Sequence, residues 1–127
     1  MHAPSSLPIF RSPCSSKTNT PRAVLALLVL VGCAGPLARA ETEFAQGRYP
    51  EAKRDLEALA AESPSWNDAK RAEYALYRGL TYAALGDRDR ASVWLREARA
   101  IEGAHPGSLS RADARRLTLG VEGGDLQ

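Results

Sequence analysis

GLTYAALGDRDRASVWL, residues 79–95, is the stretch whose reading decides the fold. Gly86-Asp87 interrupts two runs of helical period. Upstream, Leu76, Gly79, Leu80, Tyr82 and Ala83 mark one helix; downstream, Ala91, Leu95 and Ala98 recur on the inner face of the next. Glycine stops the first helix and the Asp87 carboxylate can cap the second, so the stretch predicts an antiparallel helical hairpin. Working outward, the same spacing occurs earlier. Gly47 precedes Ala52 by five residues and Leu56 by nine, as Gly86 precedes Ala91 and Leu95. The chain therefore carries two hairpins over 37–103. The first helix begins at Pro36 with Leu37, Ala40 and Phe44 on one face. The second starts near Pro50, carries Ala52, Leu56, Leu59 and Ala60, and ends at Ser63-Pro64. Ser65-Trp66-Asn67-Asp68 reads as the start of the long third helix, which runs to Leu85, and Gly103–Gly107 as a turn. From Leu37 onward nothing alternates with period two, so the expected class is all-α.

With these residues set side by side, the chain resembles the tetratricopeptide repeat, a helix–turn–helix unit of 34 residues. Gly79-Leu80-Thr81-Tyr82 matches its G-x-x-Y, Ala52 and Ala91 its close-packing alanine, Leu56 and Leu95 its bulky apolar position, and Pro64 its closing proline. Small residues suit these places because paired helices approach closely only where side chains are short. The chain departs from the pattern at Ala75 and Arg78, where an aromatic and a leucine are expected, and at Gly103, where a second closing proline is expected. Its two turn glycines are 39 residues apart, longer than the family period. After Pro106, residues 104–119 are expected to form a capping helix, with Leu109, Ala112 and Leu117 on a narrow stripe and Ser110-x-x-Asp113 at its start. Residues 120–127 are expected to be a flexible tail.

Upstream of the hairpins the composition changes. Residues 1–22 are rich in Ser, Thr and Pro without apolar period, the signature of a disordered segment. Residues 23–32, AVLALLVLVG, form an apolar run too short to span a bilayer but right for a signal-peptide core, with Arg22 on its N-terminal flank. Leu30-Val31-Gly32-Cys33 resembles the lipobox of bacterial lipoproteins. That resemblance implies cleavage before Cys33, covalent diacylglycerol and acyl chains on its sulfur and amine, and a lipidated N-terminus over 33–36. Ala34 is not the aspartate that retains such lipoproteins at the inner membrane in enteric bacteria, so the outer membrane facing the periplasm is the expected address. The alternative is the A-x-A site Ala38-Arg39-Ala40, which would release a soluble periplasmic or secreted protein. Cleavage there would discard most of the first helix.

The remaining chemistry is sparse. Arg11, Lys17 and Arg22 stand in the leader without acidic residues; from Cys33 on, 14 basic residues face 15 acidic ones, which argues against a nucleic-acid partner. Two cysteines and two histidines exclude a disulfide framework and multi-histidine or cysteine-rich metal sites. His105 reads as a solvated turn residue. Ser92 and Ser110 lack a histidine at recognisable motif spacing, and Glu51, Asp55, Glu57 and Glu62 interleave with Lys53 and Arg54 as on a solvated helix face. No enzyme and no cofactor is expected.

The resemblance instead implies a concave face formed by the first helix of each pair, which in the family takes up extended peptides or a partner's helix. Carried over by position, Leu37, Glu41, Phe44, Glu73, Leu76, Leu80 and Ala83 would line it. The expected function is that of a membrane-anchored, non-enzymatic adaptor for a protein or peptide in the bacterial envelope. The alternatives are a soluble secreted adaptor and an accessory subunit of an envelope enzyme or secretion complex. Two hairpins and a cap are few for a solenoid, so self-association, or filling of the face by the chain's own C-terminal helix, is the competing use of that surface.

Overall fold

In the computed structural model, residues 34–125 are described, and from Gly35 onward they form one compact unit. Cys33, the apolar run and the leader lie outside the described residues. Five α-helices follow one another: α1 (Pro36–Ala45), α2 (Tyr49–Ala58), α3 (Asp68–Ala84), α4 (Arg88–Ala104) and α5 (Arg111–Asp125), with a 3-10 turn over Ser63–Ser65 between α2 and α3. The described residues contain no strand, and the all-α reading holds.

The two hairpins close in the same way. Gly47 and Gly86 both take positive φ (76° and 84°), which residues with a Cβ adopt only with strain. At each turn the glycine N–H bonds the carbonyl three residues back, Phe44 or Ala83. The next N–H, from Arg48 or Asp87, bonds five back, to Glu43 or Tyr82. This is a Schellman ending, repeated at the spacing seen in the sequence. Ala52 and Ala91 are buried at the equivalent points of α2 and α4, and Leu56 and Leu95 are buried one turn further on. The additional length relative to the 34-residue unit lies in α3 and in the 3-10 turn, since α1 and α2 have 10 residues each and α3 and α4 have 17.

Helix starts follow their caps. Asp87 accepts from the Arg90 N–H at 3.1 Å, and Ser110 from the Asp113 N–H at 3.1 Å while donating its hydroxyl to Asp113. At α3 the cap is Asn67, which accepts from the Lys70 N–H at 2.9 Å. Ser65 instead donates to the Glu62 carbonyl within the 3-10 turn. Helix α2 stops at Ala58, ahead of the expected Ser63-Pro64, and α4 runs through Gly103 to Ala104. The C-terminal segment expected as a flexible tail continues α5 to Asp125. The reason is at Gly120: a Cβ there would lie 3.2 Å from Leu80 Cδ2 and 3.5 Å from Leu95 Cδ1, so the glycine lets the helix lie close against both leucines.

The core runs through all five helices, from Leu37 and Ala40 to Leu109 and Leu117. Its centre is α3, which is enclosed by α1, α2, α4 and α5 and buries residues on nearly every side, Ala72, Tyr74, Ala75, Leu76, Tyr77, Thr81 and Tyr82 among them.

Candidate functional site

The first helices of the hairpins, α1 and α3, together with α5, make one face. Helical spacing places Glu41 and Phe44 on the α1 part of it and Glu73 and Tyr77 on the α3 part. Phe44 is half-buried, with its ring 5.6 Å from Tyr77 in an edge-to-face arrangement and 5.4 Å from Tyr49. Glu41 of α1 and Glu73 of α3 are both half-buried. Burial, followed by the Glu73 charge, pushes Glu41 up to about 7, and burial likewise raises Glu73.

Helix α5 completes the arrangement. Asp113 is buried and accepts three side-chain hydrogen bonds: from Tyr77 Oη at 3.1 Å, from Ser110 Oγ at 2.7 Å and from Arg116 Nη1 at 2.7 Å. Arg116 Nη1 also donates to Tyr77 Oη at 3.2 Å. Burial works to raise Asp113, but the bonds from Ser110, Arg116 and Tyr77 together outweigh it, and the carboxyl stays below its usual value. Tyr77 is pushed up to about 12 by burial and by the Asp113 charge, so its hydroxyl remains a donor. Glu73 and Asp113 also border a shallow cavity whose rim includes Asn67, Lys70 and Ser108.

The residues expected to line this face divide into two groups. Phe44, Glu41 and Glu73 are half-buried on it, Leu80 is half-buried, and Ala83 is exposed. Leu37 and Leu76 are core residues, and Leu76 has no exposed surface. Their withdrawal corrects the expectation of an apolar groove. Leu76 and Leu80 share a side of α3, but α5 lies across it, with Asp113 on Tyr77 and Gly120 on Leu80. The chain's own C-terminal helix thus lies over part of the leucine stretch, and the face keeps half-buried Phe44, Glu41, Glu73 and Leu80 with exposed Ala83. Cys33, the expected lipid attachment site, lies outside the described residues.

A second cluster was not legible in advance. Arg78, the departure from the leucine pattern, stacks 4.3 Å from the Trp94 ring centroid and donates from Nη1 to Tyr74 Oη at 2.7 Å. Tyr74 in turn donates to the Leu56 carbonyl at 3.0 Å and meets Trp66 and Trp94 edge-on. This stack ties the inter-hairpin turn, α2, α3 and α4 together, a packing role. The only sign in the sequence is the aromatic spacing of Tyr74, Tyr82 and Trp94 around Arg78.

Among the described residues no group of three or more His, Cys, Asp or Glu is arranged to hold a metal ion, and no helix is long and apolar enough to cross a membrane. Comparison with protein-family models, curated proteins and solved structures finds no match to this chain.

Proposed function

We propose that the protein is a lipid-anchored, tetratricopeptide-like adaptor of the bacterial envelope, processed before Cys33 and presenting the α1–α3–α5 face to a protein or peptide partner in the periplasm. One observation carries the anchoring half. Helix α1 begins at Pro36 and buries Leu37 and Ala40, the latter with no exposed surface. Arg39 reaches Asp55 of α2 at 3.2 Å. Cleavage after Ala40 would remove half of α1 and these contacts with it, whereas cleavage before Cys33 leaves the helix intact. Acyl chains on Cys33 would then attach the unit to the bilayer with about 0.8 kcal/mol per buried CH₂, two or more chains making attachment stable.

The adaptor half is supported by the kind of surface α1, α3 and α5 offer. Half-buried Phe44, flanked by Glu41 and Glu73, provides one aromatic contact among hydrogen-bonding groups, a pattern suited to recognising another macromolecule. Intact-mass analysis of the membrane-extracted protein tests the anchor: a chain starting at Cys33 and heavier by its acyl groups is expected, and an acyl-free chain starting at Glu41 refutes it. For the face, photo-crosslinkers at Phe44 and Ala83 should capture the same partner in cells, while one at exposed Ser92 on α4 should not. Equal capture at all three positions refutes the assignment. The leucines are unsuitable probes, because a charge at Leu76 would unfold the core.

A further inference from the structure

We infer that the groove between α2 and α4, floored by α3, is a second docking surface, built for a peptide segment that sets a carboxylate beside an apolar side chain. Leu80 meets α5 at Gly120, whereas Arg78, two residues earlier in α3, points the other way and stacks on Trp94 of α4. The groove is therefore separate from the α1–α3–α5 face, and the inference stands whether or not that face binds a partner.

The apolar part of the groove is a cavity of about 310 Å³, walled by Pro64 of the inter-hairpin turn, Tyr74 and Ala75 of α3, and Val93, Trp94 and Ile101 of α4. Val93 stands 53% exposed at its rim. A volume of this order lies at the small end of ligand pockets and has room for an apolar side chain. The charged residues that border it are already matched: Glu97 pairs with Arg71 at 3.5 Å, and Arg71 also reaches Asp68 at 3.5 Å.

Arg78 decides which apolar segment fits. It shares two residues with the cavity, since its Nη1 donates to Tyr74 Oη at 2.7 Å and its guanidinium lies 4.3 Å from the Trp94 ring centroid. Among the described residues no carboxylate pairs with it. The acids of the neighbouring walls are engaged elsewhere: Glu57 of α2 accepts the Tyr82 hydroxyl at 2.7 Å, Glu97 holds Arg71, and Asp87 holds Arg90 at 3.3 Å. Its Nε is buried and has no hydrogen-bond partner. The ring faces attract a cation but bring no negative charge, so packing accounts for where the guanidinium lies and leaves its charge unmatched. A carboxylate matches that charge and accepts two parallel guanidinium N–H bonds, and the stack already holds the planar group in place for it. An uncharged segment would gain the cavity alone, and a lysine-bearing one would meet repulsion.

The test uses the purified full-length chain and an array of acetylated, amidated hexapeptides in which one leucine and one glutamate take every pair of positions in an alanine background. Binding is read in ¹⁵N spectra at the Trp94 indole N–H and the Arg78 Nε–H. At least one spacing should shift both signals. Its glutamine and its all-alanine-but-glutamate forms should each bind at least about tenfold more weakly. Arg78→Gln, which removes the charge, and Val93→Glu, which sets a like charge at the exposed rim, should weaken the same peptide by at least about tenfold. Should Arg78→Gln fail to fold, the glutamine peptide and Val93→Glu still decide. The inference is overturned if no member of the array shifts the two signals, if the glutamine form binds as well as the glutamate form, or if Val93→Glu leaves binding unchanged. It is overturned as well if light scattering shows that the chain self-associates and that Val93→Glu makes it monomeric, because a second copy would then be the occupant.

Discussion

Replacing Gly79 by alanine should destabilise the protein, although alanine is the better helix former by about 0.8–1 kcal/mol in a helix interior. The reason is the distance between α3 and α4. A Cβ on Gly79 would lie 2.7 Å from Leu95 Cγ, 2.8 Å from Leu95 Cδ2 and 3.1 Å from the Leu95 backbone nitrogen. The first two atoms cannot swing aside, because Leu95 is 5% exposed and its methyls also meet the backbone at Gly120. The third belongs to helix α4 and moves only if the helices separate. Overpacking a closed core costs about 1–3 kcal/mol, and contacts this short place Gly79→Ala in the upper half of that range. Set against the propensity gain, the net loss is about 1–2 kcal/mol. In a unit of this size each kcal/mol lowers Tm by about 4–8 °C. Gly103 supplies the control: it lies in the last turn of α4 with nothing within 4 Å of a built Cβ, so Gly103→Ala should raise stability by about 0.5 kcal/mol. Thermal and urea unfolding followed by circular dichroism at 222 nm measure both. A second-site test sharpens the argument. Leu95→Ala alone should cost about 2–5 kcal/mol, yet in that background Gly79→Ala should become neutral or stabilising, because the obstructing atoms are gone. A Gly79→Ala protein as stable as the wild type, or a loss unchanged in the Leu95→Ala background, would refute the close-approach reasoning.

Three further outcomes are expected. Asn67→Ala removes the only side-chain cap of α3 and should cost about 1 kcal/mol in urea unfolding, with Asn67→Asp retaining the wild-type value. Tyr77→Phe withdraws one donor from buried Asp113 and leaves the Ser110 and Arg116 bonds to it in place, for a loss of about 1–2 kcal/mol; a larger loss would mean that Arg116, which also donates to Tyr77 Oη, is displaced from Asp113 with it. Glu102 accepts the Gly107 and Leu109 N–H groups at 2.9 and 2.8 Å, and these bonds hold its carboxyl below the ordinary value. Its contribution is therefore present at neutral pH and lost as pH falls through that lowered value. Glu102→Ala should lower Tm at pH 7 and converge with the wild type near pH 3, and a gap of the same size at both would show that the bonds do not depend on charge.

The hairpins were readable because their determinants are local. Gly47 and Gly86, Ala52 and Ala91, and Leu56 and Leu95 sit at fixed offsets, and each acts within one turn or one helix pair. The Asp87 cap and the Ser110–Asp113 box are likewise decided within four residues. The candidate face was less readable, because it depends on how many neighbours α3 acquires. Periodicity puts Leu76 and Leu80 on one side of a helix; it does not say that α5, more than 30 residues later, will lie on that side. Once α5 is there, Leu76 becomes core, while Glu41, Phe44, Glu73 and Leu80 stay half-buried and Ala83 exposed. The same limit hid Arg78. A charge at a leucine position reads as a defect until Trp94, from the following helix, supplies the ring over which it stacks.

These differences bear on how the molecule divides mechanically. Helices α3, α4 and α5 interlock through close approach at Gly79 and Gly120 and through the Asp113 hydrogen bonds, none of which involves α1. Each of α3 and α4 is about 25 Å long at 1.5 Å per residue, whereas α1 and α2 are about 15 Å. The first hairpin is shorter, and α3 holds it through the Phe44–Tyr77 ring pair on α1 and through Tyr74 and Tyr82, which donate to the Leu56 carbonyl and to Glu57 of α2.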